Sequence, residues 1–385
     1  MILFSLPTEL GEGERVASGP TAVGAEEADP RVLASHYKFL PQINFTRIFP
    51  RKSFSRIDLG GTILSLTSTI LLVFAMQQGG IEFPWSSVTV VVTITISMIC
   101  FVLFILWEEF IVGDHRRSLP RCLLDLGFMP TEVCEPIFPM RLAKHRVIGC
   151  ILSTGFLTGF PFLTALFNIP QRLQLVNQLS ATAAGIRLLP LLLSSACATA
   201  MVGVFLKIIG KGNTRVVWYM IVTGSCLQLV GITLLGTAIG TQKEVLPQQY
   251  VYESVLGCGV GFVLASLVIF GRVEVAETDM PVIMGAIVQV RVLGGCIALA
   301  LCTTLLYSHL EHGLAAIMNE EEVASLLKST QSLKELGEER MNIVREVFAE
   351  GYELQMRAMV GFAAAAVITA LGSWKREWKV LEGMA

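Results

Sequence analysis

Charge is scarce in this chain: Asp, Glu, Lys and Arg make up 16% of its 385 residues, against about 25% in soluble globular proteins. With 53% of the residues hydrophobic, too little charge remains to coat an ordinary water-soluble domain. The formal net charge is −2, which gives no sign of a nucleic-acid partner. None of the nine cysteines forms a CxxC pair; most lie within apolar runs, as small packing residues do. Histidine is rare as well. His36, His115, His145, His309 and His312 all fall outside the apolar runs, and His309 with His312 would supply only two ligands to a metal. No Ser/His/Asp set or metal-ligand cluster points to an enzyme. No cofactor is expected either: GCGVG at 257–261 lacks the preceding strand that a dinucleotide fingerprint needs. The apolar start Met1–Leu6 is too short for a secretory signal, and Glu9, Glu12 and Glu14 follow it.

What the chain has instead is long apolar runs. Val216–Ile239 contains no charged side chain, and about 20 apolar residues in a helix cross a bilayer. Eight segments meet that length: Leu59–Met76, Val88–Trp107, Val147–Phe167, Thr182–Ile208, Val216–Ile239, Tyr250–Phe270, Pro281–Leu306 and Met356–Trp374. The fold expected is an all-α polytopic transmembrane helix bundle.

Between the spans, composition divides the chain. Residues 1–56 read as a cytoplasmic, disordered tail, rich in Gly, Pro and Glu over most of its length. Residues 57–107 hold two spans, 108–146 a basic cytoplasmic loop, 147–374 six spans, and 375–385 a cytoplasmic tail. Lys and Arg favour the cytoplasmic side of short loops. Arg47, Arg51, Lys52 and Arg56 precede the first span, and the next connection, Gln77–Ser87, has none. Lys207, Lys211 and Arg215 then share one tight turn, and Lys375, Arg376 and Lys379 follow the last span. Both termini are therefore expected in the cytoplasm. This topology makes 309–355 a long extracellular loop, in which Val323, Leu326 and Leu327 have the spacing of an amphipathic helix. Trp85, Trp218, Trp374 and Trp378 fall near expected interfaces, where indoles prefer to sit.

Five residues are candidates for a substrate or coupling site. Arg291 lies near the middle of Pro281–Leu306, where insertion costs at least about 2.5–3.5 kcal/mol. It is expected to face a wet cavity or a carboxylate on another helix, as an anion contact, a member of a coupling network, or a packing bond. Gln289 and Gln228 are also intramembrane and would line the same cavity or tie helices together. Arg187 precedes Pro190 in GIRLLPLLL; it can snorkel outward, and the proline should kink the span. Glu253 begins Tyr250–Phe270. It either titrates in proton coupling or sits in water at the mouth, the commoner place for such a residue. Asp58 is expected at a helix N-terminus. Glycines four apart, Gly155/Gly159, Gly236/Gly240 and Gly257/Gly261, let helices approach closely.

Several blocks then occur in a telling order: RIDLGGTILSL from Arg56, the QQGG–PW turn, EPIFPMRLAKHRV at 135–147, SATAAGIRLLPLLL at 180–193, YVYESVLGCGVGF, MGAIVQVRVLGGCIALALCTT and AEGYELQMRAMVGFAAAAV. Together they resemble the fourteen-span drug:proton antiporter branch of the major facilitator superfamily, in particular fungal efflux pumps. The resemblance covers most of residues 56–372 and begins at the family's seventh span. It implies that Leu59–Trp107 corresponds to the two extra central spans and Val147–Trp374 to the six-helix C-terminal half. Residues 112–134 interrupt the pattern, as a true loop or an unspliced segment. By this resemblance the chain is expected in the plasma membrane. There a proton gradient would drive efflux of a drug-like compound or fungal secondary metabolite, with Arg291 and Gln289 on the C-terminal wall. Such transporters rock two halves around a midplane site. One half therefore implies self-association or a separate N-terminal half. The alternative is a non-transporting membrane fragment or partner that modulates a full-length transporter.

Overall fold

The structure is a computed structural model that describes residues 58–79, 83–112, 142, 145–238, 245–314, 338–378 and 380. The expectations for residues 1–56, for 113–134, for 315–337 within the 309–355 segment and for Gly240 lie outside the described residues. The elements are α1 (Leu59–Gln78), α2 (Val88–Val112), α3 (Arg146–Leu175), α4 (Ala181–Arg187), α5 (Leu189–Ile208), α6 (Arg215–Ala238), α7 (Gln248–Glu274), a 3-10 turn (Glu277–Asp279), α8 (Met280–Leu314) and α9 (Glu338–Gly372). Among the described residues, eight spans are long and apolar enough to cross a membrane. α4 and α5 together make one of them, Ala181–Ile208. The protein is thus an all-α polytopic bundle.

Local chemistry sets the helix ends. Asp58 caps α1 through its side chain, accepting from the Gly61 backbone N–H at 2.9 Å. The same carboxylate also accepts from Trp107 Nε1, so it joins the start of α1 to the end of α2. Ser180 caps α4 in the same manner. The span that holds Pro190 is broken at Leu188, because proline has no N–H to donate and sits best in a first helical turn. Lys211 and Gly212 have φ of 44° and 79°, which reverses the chain tightly between α5 and α6. α8 and α9 each run 35 residues, about 50 Å at 1.5 Å per residue. They are longer than the spans that hydropathy assigns, because tertiary packing keeps their charged outer turns helical.

Glycine decides which helices touch. Gly155 faces the Ile287 carbonyl, and Gly159 lies against the Arg291 carbonyl with no room for a Cβ. On α8, Gly294 and Gly295 return the contact against Phe156 and Leu163. α3 and α8 therefore meet backbone to backbone. Gly257 and Gly261 do the same for α7 against Leu191 and Ser195 of α5. Gly224, Gly231 and Gly259 bring α6 and α7 together, a methyl at Gly231 falling 2.7 Å from Leu256 Cα. Gly236 faces Met356 and Arg357 of α9. The helices thus pack in the order α5, α7, α6, α9, α3, α8, with α3 also reaching α7. Half of the α3 span and 56% of the α7 span are buried, so these two form the centre. The α1–α2 hairpin, at 17% and 11%, is peripheral. It is held together by Ser97 Oγ donating to the Ser68 carbonyl and touches α8 through α1.

Candidate functional site

Polar side chains inside the bundle gather at three levels. At mid-span stands Arg291, only 5% exposed. Its guanidinium lies 4.9 Å from the centre of the Phe162 ring on α3, a cation–π geometry. Among the described residues, neither terminal nitrogen has a hydrogen-bond partner. Among the described residues no carboxylate pairs with it; the backbone contact with Gly159 and the ring of Phe162 lie on that side. Gln228 is also buried, and neither of its amide atoms has a hydrogen-bond partner among the described residues. Gln289 differs from the expectation. It is exposed on the outer face of α8, because two residues turn a helix by about 200°, so it cannot share a cavity with Arg291.

At one end of the bundle, Glu253 is fully buried, not bathed in water at a mouth. One carboxylate oxygen accepts from Gln249 Nε2 at 2.7 Å, and the other has no hydrogen-bond partner among the described residues. Arg172 of α3 and Tyr352 and Glu353 of α9 face Gln249 across a cavity of about 20 Å³, space for about one water molecule. Glu353 also pairs with Arg357. Just below, Asn168 donates to Gln355 at 2.6 Å and Gln355 to the Cys302 carbonyl at 2.7 Å, tying α3, α9 and α8 together. The sequence reading missed Arg172, Asn168, Tyr352 and Gln355. Each falls just outside an apolar window, and the signal that finds them is the Asn168/Arg172 spacing of four on one helix face.

The opposite end is closed by the segment after α9. Arg146 Nη2 donates to the Trp374 carbonyl at 2.5 Å, and Trp218 Nε1 to the Ala370 carbonyl at 3.1 Å. Lys375 pairs with Glu274, and Asn213 bridges Val380. Trp218, Trp374 and Trp378 pack on one another, so they form a cluster where each alone was expected to face an interface. Arg187 sits half-buried in the last turn of α4. Among the described residues no cluster of His, Cys, Asp and Glu could hold a metal; His309 instead lies 3.3 Å from Glu350.

No family profile matches the chain, but individual relatives do. "MFS-type transporter FPY5" of Fusarium mangiferae is 36% identical over 326 residues, 84% of this chain and 51% of the relative. "Efflux pump dotC" of Dothistroma septosporum is 24% identical over 329 residues, 83% of this chain and 51% of the relative. "MFS efflux transporter inpD" of Emericella nidulans is 24% identical over 334 residues, 85% of this chain and 58% of the relative. The chain spans about half the length of the curated relatives it matches. Eight apolar spans and these matches converge on one conclusion: the chain is a relative of fungal transporters of the major facilitator superfamily.

Proposed function

We propose that this chain supplies the C-terminal half of an exporter, and that a second membrane bundle completes the passage. The cargo is a small organic compound, drug-like or a secondary metabolite, and proton uptake at Glu253 drives its export from the cytoplasm across the plasma membrane. The observation that carries the reading is the open face of α5 and α8. Both helices pack on α7, while one face of each meets nothing. On α5 the open stripe is Leu189, Leu192, Ala196 and Gly203; on α8 it is Pro281, Gly285, Val288 and Val292, with Gln289 beside it. Added Cβ atoms at Gly203 and Gly285 would meet nothing within 4 Å. Small residues at helical spacing suit contact with other helices better than contact with lipid, and the relatives have another half of their length to provide one. A buried carboxylate with an open oxygen is the kind of group on which a membrane proton relay is built.

The test is flux. The chain, isolated with whatever it holds in its own membrane, is sealed into vesicles under an imposed pH gradient, and candidate metabolites are followed. Uptake above that of protein-free vesicles, abolished when the gradient is collapsed, is the expected result. Uptake indistinguishable from protein-free vesicles sinks the reading and favours a fragment that modulates a full-length transporter.

A further inference from the structure

Arg291 carries more than the export reading uses. It lies about 20 Å along its span from Glu277, too deep for its guanidinium to reach either end, and it is sealed from the surroundings at 5% exposure. A guanidinium that only glues helices would spend its N–H groups on carbonyls or hydroxyls of the neighbouring helix. Here, among the described residues, both terminal nitrogens are unspent, although Gly159 brings the α3 and α8 backbones into contact at this level. A buried cation without hydrogen bonds is unfavourable until an anion arrives. Phe162, half-buried on α3, is what covers it.

We propose that Arg291 and Phe162 form a binding site for a planar organic anion, a carboxylate attached to an aromatic or conjugated system. The inference rests on the export reading and narrows its substrate class. The planar fork of the guanidinium matches a carboxylate through two parallel N–H···O bonds. The Phe162 ring swings aside to admit the ligand and then stacks on its flat part. Neutral compounds of the same shape gain the stacking and leave the guanidinium unpaired, so the site discriminates by charge.

The experiment uses the full chain in lipid nanodiscs with 2-naphthoate as the probe and methyl 2-naphthoate as its neutral twin. Saturable binding of naphthoate, roughly tenfold or more tighter than the ester, is the expected result. Arg291→Gln should remove that preference and leave ester binding unchanged, and Arg291→Lys should keep part of it. If Arg291→Gln does not fold, the unaltered protein decides: naphthoate should raise its thermal midpoint and the ester should not. Equal binding of the two probes, or a preference that survives in Arg291→Gln, overturns the site. Anion binding without flux in vesicles upholds the site and sinks the export reading. Flux of neutral compounds with no preference for anions does the reverse.

Discussion

Gly159→Leu is expected to abolish folded protein. A Cβ at Gly159 would clash with the Arg291 carbonyl oxygen, and Gly295 N is 3.1 Å away. Backbone cannot yield as a side-chain tip can, so α3 and α8 must separate along their shared length. Ordinary overpacking costs about 1–3 kcal/mol. Here the cost is larger, because the separation also lifts Phe162 from Arg291 and strains the Asn168–Gln355–Cys302 chain that joins the same helices. The measurement is monodisperse yield from detergent extracts by size-exclusion chromatography. Gly361→Leu, at a position where an added Cβ meets nothing, is the control and should express like the parent. Normal yield for Gly159→Leu would contradict the helix contact.

The second large effect belongs to Glu253→Gln. The substitution keeps the size of the side chain and can still bond to Gln249, so the fold should survive. What it removes, on the proposed export reading, is the group that takes up the proton. Accumulation of cargo against its gradient should fall to the level seen without a pH gradient, while downhill exchange of labelled for unlabelled cargo continues. That split separates coupling from structure, since a misfolded variant loses both. If Glu253→Gln still concentrates cargo under a pH gradient, coupling lies elsewhere. Its partner Gln249 lines a cavity with Arg172, Tyr352 and Glu353, and Glu353 pairs with Arg357; the same assay applied to Glu353→Gln tests these groups.

The spans were legible because hydropathy over about 20 residues is a strong signal, and the kink at Pro190 because proline acts locally. So was the odd position of Arg291. Its surroundings were not, since they depend on which face of α8 meets α3. The glycine spacing Gly155/Gly159 held part of that answer, and the 200° turn between Gln289 and Arg291 held the rest. Glu253 was misplaced for a different reason. A hydropathy window discards the charged turns before Met356, yet α9 runs through them, and there Tyr352 and Glu353 meet Gln249, the hydrogen-bond partner of Glu253, across a small cavity. Membrane helices end beyond their apolar windows, and polar residues in those outer turns are where the bundle closes on itself.

On the proposed reading, this chain is one half of a transporter and its open α5 and α8 faces meet a second bundle. The most direct test is the mass of the assembly taken from its native membrane in a mild detergent, by native mass spectrometry. The expected species is heavier than the 385-residue chain by a further membrane bundle, whether in the same polypeptide, a separate one or a second copy. In that species, Gln289→Cys should be shielded from a lipid-soluble maleimide. A lone chain of its own mass, with that cysteine freely labelled, would contradict it.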